Sequence, residues 1–144
     1  MAGTGKAHLR RPEEVLLRVE DLVVEYPAPG RKVGHAVSGI SFDVKAGGKV
    51  KLTFTNPDYL PHNLVIVQPG SADEIALAGI SLGAKGFETG FVPDSDKIIA
   101  STSLIDHGES QVLNFTAPTT PGDYQFVCTF PGHAPPMRGV MKVR

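Results

Sequence analysis

The strongest constraint on the fold is a two-residue alternation of apolar and polar side chains, clearest in residues 49–55. There Val50, Leu52 and Phe54 fall on one face of an extended chain, while lysine and threonine occupy the other. With Gly 16, Pro 12 and only 20% charged residues, the composition favours short elements and turns over a helical bundle. The sequence therefore predicts an all-β protein, and its 144 residues suit one domain.

Further strands are predicted where the alternation, or a short apolar run, recurs between turn residues. Residues 41–45 are expected to form a hairpin with 49–55 through the turn "AGG". Residues 13–26 suit one or two strands, although a short helix is also open there. The other predicted strands are 63–68, 97–103, 111–116, 123–128 and 139–143.

One short helix is predicted within residues 71–83, inserted between strands. Ser71 and Glu74 stand at capping-box spacing, and Gly83 is suited to end the helix. Residues 84–96 are expected to be loop. Residues 1–12 are small, polar and basic, so we expect a flexible lead or an expression remnant there, with the single domain spanning 13–144.

Charge and hydropathy exclude several functional classes. A formal net charge of −1 gives no indication of nucleic-acid binding. No apolar stretch is long enough to insert into a membrane or to act as a secretory signal. The single cysteine excludes an internal disulfide, so the usual sign of an oxidising compartment is missing.

The decapeptide "CTFPGHAPPM", between the last two predicted strands, brings three metal-binding residue types onto one loop. Cys128, His133 and Met137 offer a thiolate, an imidazole and a thioether. These ligands suit a soft metal ion, and copper is the candidate. Met141 competes for the thioether position, but it falls on a predicted strand and is better interpreted as core.

In a type 1 copper site, one thiolate and two imidazoles bind the ion together with a weak, distant methionine. The decapeptide offers only one imidazole, so a second must come from elsewhere in the chain. His8, His35 and His107 are most simply solvated surface side chains. His62 stands at the start of a predicted buried strand, where the end of a neighbouring strand could meet it. It is therefore the preferred second histidine.

The segments "LPHNLVIV", "KIIASTSLIDHGESQVLNF" and "CTFPGHAPPMRGVMKV" resemble the copper proteins called cupredoxins. The C-x4-H-x3-M loop is more similar to azurin than to plastocyanin, and the likeness runs from about Ser41 to the end. It implies a Greek-key β-sandwich with one type 1 copper ion, bound by His62, Cys128, His133 and Met137. A weak axial contact from the carbonyl of Pro61 is the candidate fifth interaction, where azurin has a glycine.

The resemblance also implies roles around the ligands. The backbone N–H groups of Asn63 and Phe130 match those that donate to the cysteine sulfur in cupredoxins, and the asparagine side chain matches one that joins the two ligand loops. The implied function is one-electron transfer by Cu(I)/Cu(II) cycling, without enzymatic activity.

The implied partner is a redox protein such as a cytochrome or a dehydrogenase, docking at an apolar rim around His133. The implied location is periplasmic or otherwise extracytoplasmic, with the signal absent from this sequence. "NPDYLPHN", "FVPDS" and "CTFPGH" also resemble azurin-like modules of larger bacterial chains, which implies excision from a multidomain protein. The predicted rim comprises Leu60, Pro61, Phe130, Pro131, Ala134 and Pro135.

Two other functions would also use a thiol and an imidazole on one loop. A copper storage or delivery module would ordinarily carry more soft ligands than Met 3 and Cys 1. A thiol enzyme with Cys128 as nucleophile would need an accessible sulfur, whereas the alternation places this thiol on an inward face. Both remain alternatives to the electron carrier.

Overall fold

A computed structural model describes residues 17–19, 25–26, 34–35 and 38–144, with side chains described from residue 41 onward. The predicted lead, residues 1–12, lies outside the described residues, and so do His8 and the side chain of His35.

The described chain is built mainly from short strands, with a helical insert between β6 and β7. The helical elements are α1 (Ala72–Ser81), a 3-10 turn (Gly83–Lys85) and α2 (Gly86–Thr89). The strands are β1 (Leu17–Val19), β2 (Glu25–Tyr26), β3 (Gly34–His35), β4 (Ser38–Val44), β5 (Lys49–Thr55), β6 (Val65–Val67), β7 (Ile98–Ser101), β8 (Ser110–Thr116), β9 (Gly122–Val127) and β10 (Arg138–Val143).

The strands form a Greek-key β-sandwich. One sheet has the order β1-β5-β8 and the other the order β4-β10-β9-β6-β7, while β2 and β3 pair separately. The alternation in β5 determines which of its faces packs on the core, since Val50, Leu52 and Phe54 are all buried. Together with Phe126 and Met141 they belong to one apolar cluster that receives side chains from both sheets. The predicted strands at 49–55, 111–116 and 139–143 are confirmed, and Met141 is a core residue.

The predicted hairpin of 41–45 with 49–55 is wrong. The tight turn does form, with the N–H of Gly48 donating to the carbonyl of Lys45 at 3.0 Å. However, β4 pairs in parallel with β10, and β5 pairs with β8 and β1. The N–H of Ala46 donates to Arg144 and that of Gly47 to Pro118, so the turn is a corner that carries the chain from one sheet to the other.

The predicted helix is confirmed as α1, but its capping box is not formed. The Ser71 side chain makes no capping hydrogen bond, and the carboxylate of Glu74 instead accepts hydrogen bonds from Nζ of Lys97 at 2.6 and 2.8 Å. The apolar face of α1 packs on β6 and β9 through Ile75 and Ala76. The expectation that 84–96 is all loop is wrong for α2, which continues the helical insert.

In the part of the chain that the structure describes, no helix has both the length and the apolar character needed to span a bilayer.

Candidate metal centre

The pairing of β6 with β9 brings two distant parts of the sequence to one end of the sandwich. These strands are antiparallel neighbours, with Val65 opposite Val127. The residues just before Val65 and just after Val127 therefore lie at the same end of the sheet. His62 is fixed there by a bridge to Ile105, in which its N–H donates at 3.1 Å and its carbonyl accepts at 2.9 Å.

The loop that follows β9 is closed by its own backbone. The N–H of Cys128 donates to the carbonyl of Met137, that of Met137 to His133, and that of His133 to Phe130, each at 3.0 Å. Gly132 adopts a φ of 84°, a conformation that side chains disfavour, and so permits the turn between Phe130 and His133. These bonds hold the thiol and the imidazole of one loop on the same side.

Three metal-binding atoms converge at this end. Sγ of Cys128 lies 3.9 Å from Nδ1 of His62 and 3.8 Å from Nδ1 of His133, and the two Nδ1 atoms are 3.1 Å apart. A point equidistant from the three atoms would lie about 2.1 Å from each, close to ordinary metal–nitrogen and metal–sulfur bond lengths. The donor set and its dimensions therefore fit one metal ion. Within the described residues, the cluster contains no other histidine, cysteine or acidic side chain.

The cluster is sealed on its inner side and open at one imidazole. Cys128, His62 and Met137 are 3%, 4% and 5% exposed, whereas His133 is only half-buried. Met137 packs against Cys128 in a small cluster with Phe130, and the rings of Phe130 and His133 are 4.7 Å apart. His133 is thus the group through which the buried centre meets solvent.

Burial controls the protonation of the donors. It raises the pKa of the Cys128 thiol, although the backbone N–H groups of Asn63 and Phe130 act in the opposite direction on the sulfur. Burial also lowers the pKa of His133 to about 4, helped by the charge of His62 and opposed by that of Asp58. At neutral pH the cluster without metal therefore offers a neutral imidazole at His133 and a protonated thiol at Cys128.

The helical insert supports the site from behind, a role that the sequence did not indicate. The amide of Asn63 donates to the carbonyl of Gly90 at 2.7 Å, and the hydroxyl of Thr129 donates to the carbonyl of Phe91 at 2.7 Å. Phe91 is buried although its φ is 58°, and its ring lies against Gly86, where a Cβ would clash. The segment after α2 is therefore tightly fixed against both ligand-bearing segments.

A second feature that sequence reasoning missed is the acidic residue beside His62. Oδ2 of Asp58 lies 2.9 Å from Nε2 of His62, on the side of the ring away from the cluster. Burial acts to raise the pKa of Asp58, but hydrogen bonds from His62 and Tyr59 and the charge of His62 outweigh it and leave this pKa below its ordinary value. In the "NPDYLPH" segment this aspartate stands four residues before the histidine. That spacing indicates a side-chain contact only in a helix, and this segment is not predicted to be helical.

The surface around His133 differs in one residue from the predicted rim. Leu60, Pro131 and Pro135 are exposed, and Pro61 and Phe130 are half-buried. The assignment of Ala134 to the rim is wrong: it is 6% exposed and packs into the apolar cluster beneath α1. His107 is exposed as expected, but its ring stacks on Tyr59 with centroids 4.4 Å apart.

A Greek-key sandwich with a buried Cys–His–His triangle at one end defines a small β-sandwich metalloprotein. Residues 37–144 match the family model described as copper binding proteins of the plastocyanin/azurin family, so the chain belongs to that family. Its cofactor is accordingly copper.

Individual relatives agree with this membership. The chain is 34% identical to Auracyanin-A of Chloroflexus aurantiacus over 119 residues, covering 78% of this chain and 72% of that protein. It is also 34% identical to Auracyanin-B of the same organism over 122 residues, covering 78% of this chain but 51% of that protein, and so spans about half of it. A solved structure of auracyanin A, titled a "blue" copper protein from C. aurantiacus, superposes with a TM-score of 0.64 at 36% identity, covering 72% of this chain and 85% of that one.

Proposed function

We propose that this domain is a one-electron carrier with a type 1 copper centre, and that it does not transform a substrate. When bound, copper would supply the redox chemistry by alternating between Cu(I) and Cu(II). The proposed ligands are Nδ1 of His62, Sγ of Cys128, Nδ1 of His133 and the thioether of Met137. The carbonyl of Pro61 is the proposed weak axial contact.

The observation that carries the proposal is the Cys–His–His triangle, with edges of 3.1, 3.8 and 3.9 Å. Two imidazoles and one thiolate with a distant methionine form the ligand set of blue-copper electron-transfer sites. Met137 is buried against Cys128 and is well placed for the fourth position. A solved relative that is itself titled a "blue" copper protein adds support.

Each side chain contributes differently to this function. Cys128, once deprotonated, provides the strong bond, and the N–H groups of Asn63 and Phe130 stabilise its negative charge. His62 and His133 would hold the metal from two separate segments, each closed by backbone hydrogen bonds. Because neither segment can relax freely, the ligands would move little when the charge of the ion changes, which favours fast electron transfer.

The exposed edge of His133 is the proposed electron port. Leu60, Pro131 and Pro135 are exposed around it, and Phe87, 68% exposed, extends the apolar surface through a ring contact with Phe130 at 6.5 Å. Small apolar surfaces of this kind suit brief encounters with a redox partner, such as a cytochrome or a dehydrogenase. We place this encounter in the periplasm or another extracytoplasmic compartment.

Copper storage or delivery is the second candidate for the same cluster. A delivery module must release its ion readily, whereas three of the four proposed ligands are nearly inaccessible. The thiol-enzyme alternative is disfavoured because burial raises the pKa of Cys128 and leaves the residue only 3% exposed.

Whether the protein retains copper through a redox cycle distinguishes an electron carrier from a delivery module. The copper-loaded protein is reduced with ascorbate in the presence of a Cu(I) chelator, then reoxidised, and bound copper is counted. A carrier keeps its ion and regains its starting spectrum. Transfer of the ion to the chelator within minutes would favour delivery, and Cys128→Ser provides a control that lacks the proposed strong ligand.

A further inference from the structure

Asp58 and His62 form a hydrogen-bonded pair on the rear side of the proposed copper centre. Oδ2 of Asp58 accepts from Nε2 of His62 at 2.9 Å, while Nδ1 on the opposite side of the same ring faces Cys128 and His133. The carboxylate is therefore separated from the donor triangle by the width of one imidazole ring.

The loop that presents Asp58 is itself fixed by a buried amide. Asn56 is 1% exposed, and its Nδ2 donates to the carbonyls of Leu60 and Ile105 at 2.8 and 3.0 Å. Its Oδ1 accepts from the N–H of Asp58 at 2.9 Å. The other oxygen of Asp58 accepts from the N–H of Tyr59 at 2.7 Å. The carboxylate is thus held in one orientation rather than free to follow the ring.

This contact determines which nitrogen of His62 carries the proton. An ionised carboxylate can only accept hydrogen bonds, so Nε2 must be the donor. In the neutral ring Nδ1 then keeps its lone pair, directed at the cluster. The backbone of His62 is fixed independently by Ile105, so the contact with Asp58 acts on the orientation of the ring.

The charge of Asp58 has few compensating partners. Among the described residues, no lysine or arginine lies within ion-pair distance of it, and the imidazole of His62 is the only basic side chain that its carboxylate contacts. Its carboxylate is partly shielded from solvent, and the imidazole it contacts is 5% exposed. A negative charge interacts more strongly with an ion buried in the protein than with an ion in water.

We infer that Asp58 is a positioning residue that holds His62 in its metal-binding tautomer, and that its negative charge favours Cu(II) over Cu(I), lowering the reduction potential. This inference rests on the proposed copper function. Carboxylate partners of ligating histidines orient the ring and raise its basicity in the same way at other metal sites.

The test compares three variants with the wild type. Asp58→Asn keeps an oxygen that accepts from Nε2 but removes the charge, whereas Asp58→Ala removes both. Asp123→Asn is the matched charge control, because Asp123 is exposed at the start of β9, at the opposite end of that strand from Cys128. The copper-loaded wild type is first checked for a type 1 spectrum, and that check tests the proposed function separately from this inference.

For Asp58→Asn we expect the Cu(I)/Cu(II) ratio at a fixed potential to rise about tenfold, equivalent to about 59 mV for one electron. For Asp58→Ala we expect the same direction with about tenfold or more loss of copper affinity. Nitrogen-15 NMR of the metal-free protein should find the proton of His62 on Nε2 in the wild type and distributed over both nitrogens in Asp58→Ala. Asp123→Asn should match the wild type throughout.

An Asp58→Asn protein with the wild-type potential would overturn the electrostatic part of the inference. A single Nε2-protonated tautomer in metal-free Asp58→Ala would overturn the positioning part. The NMR measurement needs no copper, so the positioning part can be judged even if the wild type lacks a type 1 spectrum.

Discussion

Asn63 and Thr129 are hydrogen-bonded in both directions across the two segments that carry the metal-binding side chains. The N–H of Thr129 donates to Oδ1 of Asn63 at 2.8 Å, and Nδ2 of Asn63 donates to Oγ1 of Thr129 at 2.8 Å. Both residues are almost fully buried. Each directly follows a donor in the sequence, His62 or Cys128, so this pair fixes the separation of imidazole and thiol.

Replacing Asn63 with Ala should therefore loosen the site as well as the fold. The buried N–H of Thr129 would lose its acceptor, and the carbonyl of Gly90 its donor. We expect the free energy of unfolding of the metal-free protein to fall by at least about 1–3 kcal/mol in urea denaturation, with weaker copper binding. Asn114→Ala, at an exposed position of β8, is the control and should cost less than about 0.5 kcal/mol. Equal losses in the two variants would contradict this role of Asn63.

Replacing Met137 with Leu should preserve copper binding but change the reduction potential. Removing the thioether takes a weak donor from the electron-poor Cu(II) state, so the potential measured by voltammetry should rise. Met141→Leu is the control, because Met141 is fully buried in the core and away from the cluster. An unchanged potential in Met137→Leu would eliminate Met137 as the axial ligand.

Copper uptake should release protons in a defined ratio. Because burial raises the pKa of Cys128, the thiol is protonated at neutral pH, and its proton must leave when sulfur binds the metal. We expect about one proton released per copper ion, and copper affinity that rises about tenfold per pH unit near neutrality. A pH-indicator titration in weak buffer measures the ratio. Release near zero would mean that the thiolate already exists in the metal-free protein.

The metal-free protein should lose stability on mild acidification. The pKa of His133 falls from 6.5 to about 4 on folding, so between these values the unfolded chain binds a proton that the folded chain does not. The contribution of His133 to stability is therefore complete above pH 6.5 and declines as the pH falls towards 4. The free energy of unfolding, measured with urea between pH 7 and 4, should fall more steeply with falling pH for the wild type than for His133→Gln. Parallel slopes would contradict the burial of a neutral imidazole.

Local sequence patterns predicted most of the strands because alternation alone decides which face is buried. The alternation in residues 123–128 puts Tyr124, Phe126 and Cys128 on one face of the strand, and all three are buried. The partner of β4 could not be found this way, since the turn through Gly47 has the same local form in a hairpin and in a corner between sheets. The corner differs from a hairpin only in its hydrogen bonds to residues far away in the sequence, Pro118 and Arg144.

The candidate site divides in the same way. Residue chemistry and spacing were enough to single out Cys128, His133 and His62, which the structure brings together, because few side chains bind soft metals. Asp58 was missed, since an aspartate in a loop has no periodicity that relates it to a histidine. Ala134 was misplaced because its burial depends on where α1 packs, which the loop sequence does not specify.

Visible absorption and electron-paramagnetic-resonance spectra of the purified protein, recorded after addition of one equivalent of Cu(II), test most directly whether a type 1 copper centre assembles. We predict an intense blue band and a narrow copper hyperfine splitting, both abolished by ascorbate and absent from Cys128→Ser. A colourless protein, or the wide splitting of a tetragonal copper site, would contradict this prediction, because the thiolate and the two imidazoles would then not bind one ion together.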